Sequence, residues 1–206
     1  MTTDCAGCPA CEPLRLQLAE KNAEIAQLLA RSRHDVLTGV LNHRCLADLV
    51  TEELQRSSRT GQPFCFAVIG VDGMTALNGQ FGHDVGNLVL QAIARESGTL
   101  LRTLDRFGRI DNDVFGIILP VTWLHQGVLA MNRLNAFIAA FDWNTVANGL
   151  TVTFSTGLTS NFPAETAENL IGRAIKALGE AKAKGPNELV ALEEELPASL
   201  FAAMND

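Results

Sequence analysis

The apolar positions along this chain switch period several times, and the switches divide it into elements. From Leu14 to Arg33 the residues favour a helix, with Leu18, Asn22, Ile25 and Leu29 spaced by four, three and four. That spacing is a heptad seam in which one polar residue, Asn22, can fix register between paired helices. The spacing predicts either a dimerising helix or one amphipathic helix packed on its own domain. Cys45 to Arg59 reads as a helix with Leu46, Leu49 and Leu54 on one side, and Thr60-Gly61-Gln62-Pro63 ends it. Phe64 to Val71 is an unbroken apolar run of strand length, suited to the buried centre of a sheet. Helical spacing returns from Asp84 to Leu104, with Val85, Leu88, Val89, Ala92 and Ile93 on one face. Two short strands then bracket the turn pair Asp111-Asn112.

The remainder alternates in the same way. Trp123 to Phe141 predicts a helix, Leu150 to Leu158 a strand, Ala164 to Lys184 a helix and Glu188 to Leu192 a last strand. Helices interleaved with strands and one hairpin predict an α/β sandwich with a central mixed, mainly antiparallel sheet flanked by helices. Three segments result: a cysteine-containing tail and helix over 1–33, a domain over 34–192, and an acidic tail over 193–206 that carries Leu196, Leu200 and Phe201.

Composition narrows the function classes. A 47% hydrophobic content over 206 residues supplies a substantial core. A net charge of -7 argues against non-specific nucleic-acid binding, so any anionic ligand needs a local arginine cluster. No apolar run reaches the roughly 18 residues needed to span a bilayer, and no signal pattern opens the chain, which predicts a cytoplasmic protein without membrane insertion. Cys45 and Cys65 lie in apolar runs and read as core residues. Cys5, Cys8 and Cys11 have a spacing at which thiolates converge on a metal or iron–sulfur group, but lack a fourth ligand; the alternative is a reduced tail. His34, His43 and His125 have no ligand spacing, and Trp123 and Trp143 read as core or helix-end residues.

The segment Arg102-Thr103-Leu104-Asp105, followed by Arg109-Ile110-Asp111-Asn112-Asp113-Val114-Phe115, resembles the signature of the GGDEF family, whose members join two GTP molecules into cyclic di-GMP. That family reads R-x-x-D, a short gap, then R-x-G-G-D/E-E-F across a hairpin. Asp35-Val36-Leu37-Thr38-Gly39-Val40-Leu41-Asn42 is similar to its entry motif, and Gly82-His83-Asp84-Val85-Gly86 to its G-H-x-x-G turn, where His83 has a structural part. The resemblance covers Arg33 to Leu192.

The same resemblance implies a damaged catalytic site. Gly70 stands where a metal carboxylate is expected, Thr75 where a lysine is expected, and Asn87 where a carboxylate reads guanine. In the hairpin, Asp111 and Asn112 replace two glycines, and Val114 replaces the metal-binding glutamate, while Asp113 keeps an acidic position. Pro186 stands in place of a phosphate-binding arginine. Mg²⁺ requires hard oxygen ligands, and loss of one stabilising group commonly costs about 10²–10³ in rate, so no cyclase activity is expected. Asn78 and Lys182 remain, either for structure or for residual GTP binding.

Arg102 and Asp105, expected one turn apart at a helix end, form the family's inhibitory site by resemblance. A guanidinium bonds guanine O6 and N7 in parallel, and a carboxylate accepts from N1 and N2. An i, i+3 ion pair without function is the alternative. Arg133 and Arg56 fall near positions of secondary arginines. The expectation is a receptor that takes cyclic di-GMP and needs no cofactor, forms a homodimer and signals to an unidentified protein partner. A nucleotide-independent interaction module and a GTP sensor are the alternatives.

Overall fold

The computed structural model describes residues 15–22, 24 and 32–193. The chain divides into two compact units, 1–33 and 34–206. In the first, residues 15–22 and 24 are helical and Lys21 pairs with Glu24 at 2.7 Å. Leu18 and Asn22 of the expected seam lie on this helix, whereas Ile25 and Leu29 lie outside the described residues. Cys5, Cys8 and Cys11 lie outside them too, as does the tail beyond Glu193.

The second unit begins with a short segment that runs beside the sheet through bridges from Leu41 to His34 and to Gly108. Helix α1 (His43–Thr60) follows, opened by the Asn42 side chain, which accepts from the Cys45 N–H at 2.9 Å, and closed by Gly61 at φ 69°. Then come β1 (Cys65–Val71), α2 (Met74–Phe81), α3 (His83–Leu100), β2 (Arg106–Asp111), β3 (Val114–Leu119) and α4 (Leu124–Ala139). A single 3₁₀ turn at Trp143–Thr145 leads to β4 (Phe154–Ser160), α5 (Ala167–Lys184) and β5 (Leu189–Leu192).

The sheet order is β2-β3-β1-β4-β5, antiparallel at every pairing except β4 with β5. β1 is therefore the middle strand, and every one of its residues is buried. Alternation along it serves two cores. Ala67, Ile69 and Val71 pack with Val89, Ile93, Met131 and Leu134 of α3 and α4. Phe66 and Val68 pack with Leu46, Val50, Leu170 and Leu178 of α1 and α5. Each of these Val, Leu, Ile, Phe and Met side chains stabilises the fold by about 1.5–3 kcal/mol through burial. α5 lies so close to β4 that a Cβ on Gly157 would stand 2.2 Å from Ala174 O and Leu178 N.

One side chain joins three elements at the end of the sheet. Asn161 accepts from the Phe64 N–H at 2.8 Å and donates to Ser57 Oγ at 2.9 Å, and Ser57 in turn donates to Gln62 O.

Several element boundaries differ from the pattern reading. The apolar pattern assigns no element over α2, because Gly73 and Gly79 dilute its spacing and only Leu77 is buried. β4 starts at Phe154 rather than Leu150, although Leu150 and Val152 are buried beneath the loop. α5 starts at Ala167 because Thr166 caps it. α3 stops at Leu100 instead of Leu104. Arg102 and Asp105 therefore do not sit on a helix, and their side chains do not form an i, i+3 helical pair.

Candidate functional site

Two surfaces carry the residues singled out above. The first surrounds the β2–β3 hairpin. Its tip is held by Arg109, whose guanidinium donates to Asn112 O at 2.6 Å, Asp111 O at 3.2 Å and Asp35 Oδ1 at 3.1 Å. Asp35 also accepts from the Thr38 N–H and O–H. Burial pushes the Asp35 carboxyl up, but the Thr38 bonds and Arg109 outweigh it and hold the group below its ordinary range. The entry motif thus positions the hairpin.

Beside the hairpin lies a cavity of about 420 Å³ lined by Thr75, Asn78, His83, Asn87, Asn112 and Asp113. Asn78 Oδ1 is buried without a hydrogen-bond partner among the described residues, and it lies where a Cβ on Gly86 would come within 2.0 Å. Its carbonyl therefore faces the backbone of α3.

Gly70 and Val114 are direct cross-strand partners. Such neighbours have Cβ atoms about 5 Å apart, so two carboxylates there would face one ion. Neither residue carries an oxygen side chain. The space over Gly70 is taken by Lys182, whose Nζ would be 2.8 Å from a Cβ at that position. Lys182 donates to Val71 O at 3.3 Å and lies 3.7 Å from Asp113. The neighbouring Asp72 accepts from Thr153 Oγ1 at 2.7 Å, Ser155 Oγ at 2.8 Å and the Asn187 N–H at 2.8 Å. A hard divalent cation does not fit this donor set, because an ammonium occupies the space over Gly70 and Asp72 already serves three donors.

The second surface lies after α3. Asp105 Oδ2 accepts from the Arg102 N–H at 2.8 Å, and Arg102 O accepts from the Asp105 N–H at 3.0 Å, which closes a turn. The Arg102 guanidinium is exposed, and Arg133 of α4 lines the same small depression, of about 20 Å³, with Asp105 and Leu101. Burial raises the Asp105 carboxyl above its ordinary range, against the Arg102 N–H and the positive charges of Arg102, Arg106 and Arg133.

The structure thus brings Arg102, Asp105 and Arg133 together, and it does not bring Arg56 to them. Arg56 pairs with Glu53 and lines a different groove, with Arg59 and Leu104. Sequence reasoning missed Arg106. Its guanidinium donates to Thr103 O, Leu104 O and Asp105 O at 3.0–3.2 Å and so shapes the turn that presents Asp105. Its place directly after Asp105 was the available signal.

Residues 32–188 match the family model described as "Diguanylate cyclase, GGDEF domain". The chain is 35% identical over 155 residues to diguanylate cyclase DgcP of Pseudomonas aeruginosa, covering 75% of this chain and 23% of that protein. It is 31% identical over 160 residues to the response regulator PleD of Caulobacter vibrioides, covering 76% of this chain and 35% of the relative. The chain thus spans about a quarter to a third of these curated relatives. Among solved structures, diguanylate cyclase SiaD of Pseudomonas aeruginosa, in complex with its activator SiaC, superposes with a TM-score of 0.74 at 32% identity, over 90% of this chain and 70% of that one. The coiled coil and GGDEF domain of DgcB from Caulobacter crescentus, in complex with c-di-GMP, gives 0.73 at 22% identity over 87% and 99%, a likeness of fold. Among the described residues no helix is long and apolar enough to cross a membrane.

Proposed function

The chain belongs to the diguanylate cyclase GGDEF domain family, and we propose that it is a catalytically inactive member that acts as a receptor for cyclic di-GMP. The observation that carries this reading is the convergence of Arg102, Asp105 and Arg133 on one surface, with the Arg102 guanidinium exposed. Arg102 bonds one guanine edge, Asp105 accepts from its N–H groups, and Arg133 meets a phosphate. The depression is too small to enclose a dinucleotide, so the ligand lies on the surface and leaves a face for a second subunit. A homodimer joined through the ligand is the output, because the ligand stabilises only the arrangement it bridges. The resulting change in partner-binding surface carries the signal.

Inactivity is supported by the hairpin. Gly70 and Val114 supply no side-chain oxygen where an ion would need two, and Lys182 takes the space over Gly70. GTP sensing through Asn78 and Lys182 is disfavoured for a similar reason. The Asn78 carbonyl faces Gly86, and Lys182 is engaged by Val71 O and Asp113.

Calorimetric titration with cyclic di-GMP tests the proposal. Replacing Arg102 by Ala is expected to weaken binding roughly 5- to 150-fold, the worth of one bidentate base contact. The Arg102→Ala, Asp105→Ala double variant should give no heat. A flat titration of the unaltered protein refutes the receptor reading, and product formed from GTP and Mg²⁺ refutes inactivity.

A further inference from the structure

We infer that Lys182 is a built-in cation: its ammonium, lodged over Gly70, fastens the β2–β3 hairpin to the end of β1 without a divalent ion. The clamp acts whether or not the domain takes a nucleotide.

Gly70 lies inside the buried middle strand, with Val114 of β3 and Ser155 of β4 as its partners on either side. A glycine within a strand weakens it and commonly marks the close approach of another group. The backbone does not require glycine here, since Gly70 has no positive φ. The requirement comes from α5. A Cβ at position 70 would stand 2.8 Å from Lys182 Nζ, 2.9 Å from Lys182 Cε and 3.0 Å from Leu178 Cδ2. Leu178 and Lys182 are one helical turn apart, so both reach the strand from the same face of α5. Any side chain at position 70 would push the ammonium away.

The ammonium faces the junction of strand and hairpin. It donates to Val71 O at 3.3 Å and lies 3.7 Å from Asp113 Oδ2. The Val71 N–H donates to Asp113 O at 3.1 Å, so Lys182 braces a contact that the backbone also makes. Acidic residues gather at this end of the sheet, with Asp72 after β1 and Asp111 and Asp113 at the turn. Carboxylates gathered without a cation repel one another. The donors to Asp72 are two hydroxyls and one backbone N–H, all uncharged. The Arg109 guanidinium is engaged by Asp35 and by the carbonyls of Asp111 and Asn112. Lys182 therefore supplies the positive charge opposite Asp113. It stands in the last turn of α5, where the helix dipole favours a cation. Because this charge is tethered, the hairpin is held equally at any concentration of Mg²⁺.

Amide exchange of Val71 in the full chain reports the junction. Lys182→Met keeps the aliphatic stem and removes the charge. It should quicken exchange of the Val71 N–H about 2- to 10-fold, a modest effect because the two side chains are 37% and 31% exposed and water screens them. Methylammonium should restore protection in Lys182→Ala, where space is vacated, and leave Lys182→Met unchanged. Gly70→Ala, which keeps Lys182 but displaces it, should quicken the same amide and lower Tm, and the loss of Tm should be smaller in a Lys182→Ala background. In the unaltered protein, exchange should be the same in EDTA and in Mg²⁺, and Mn²⁺ should not broaden the amide signals of residues 70–72 and 112–114. Exchange of Val71 at the unaltered rate in both Lys182→Met and Gly70→Ala overturns the proposal, because the ammonium then braces nothing. So does slower exchange in Mg²⁺, or broadening of those signals by Mn²⁺, in the unaltered protein, which would make a divalent ion the partner of the hairpin.

Discussion

Asp72 is a carboxylate at the end of the central strand, and replacing it with Ala should cost stability rather than ligand binding. The side chain accepts from Thr153 Oγ1, Ser155 Oγ and the Asn187 N–H, at 2.7, 2.8 and 2.8 Å. It thereby ties β1 to the approach of β4 and to the turn before β5. A hydrogen bond to a charged acceptor contributes about 1.5–3 kcal/mol, but the group is half-buried and water can reach some donors. Taking about 1 kcal/mol per bond gives a loss of about 3 kcal/mol. For a domain of this size that lowers Tm by roughly 6–12 °C. Asn187 adds to the effect, since its φ of 61° is held in place by this contact. The Asp72→Asn variant keeps one acceptor oxygen and should fall between. Thermal and urea unfolding followed by circular dichroism measure this, and calorimetry should show cyclic di-GMP binding unchanged. A loss under about 0.5 kcal/mol for Asp72→Ala would refute the reasoning, because it would mean that water satisfies all three donors equally well.

Three other expectations follow from the geometry. Gly157→Ala drives a Cβ to 2.2 Å from two backbone atoms of α5 and should destabilise by about 3 kcal/mol or more; an unchanged urea midpoint would show that α5 moves aside freely. Burial raises the Asp105 carboxyl, and its ionised form is the proposed acceptor for guanine. Cyclic di-GMP affinity should therefore be level near neutral pH and fall on acidification at a pH above that of an ordinary aspartate, while Asp105→Asn shows no such fall. The same shift has the opposite sign for stability. The folded state holds this proton more tightly, so the contribution is full below the unfolded pKa and is lost as pH rises through the folded one. Finally, burial, reinforced by Glu193, pushes the Cys65 thiol up to about 12. In a variant lacking Cys5, Cys8 and Cys11, native protein should not react with a disulfide reagent, whereas unfolded protein should expose both remaining thiols; rapid native reaction would contradict the burial of Cys45 and Cys65.

Much of the fold was legible because local pattern and tertiary role agree. The run from Phe64 to Val71 had strand length and continuous apolarity, and it is the middle strand serving two cores. Asp111-Asn112 marked the hairpin to within one residue, since Asp111 ends β2 and the turn pair is Asn112-Asp113, and Arg102 and Asp105 stood at the spacing that led to the second surface. What escaped depends on contacts far apart in sequence or on weak local signals. α2 has two glycines near or within it and one buried residue. No spacing indicates that Lys182 lies over Gly70, because that contact arises from packing α5 against β1. Arg56 looked eligible by position, yet Glu53 one turn earlier pairs with it and the groove it lines is a separate one.

The Asn161 junction bears on how long the protein stays folded, apart from how stable it is. Its bonds to Phe64 and Ser57 span 97 and 104 residues. Closing loops of that length is entropically unfavourable, so these bonds form only after β4 has found β1. Contacts made late on the folding path are the first to be released on the way out. Removing the Asn161 side chain should therefore leave the folding rate almost unchanged and quicken unfolding. The junction works as a clasp whose effect is measured in lifetime.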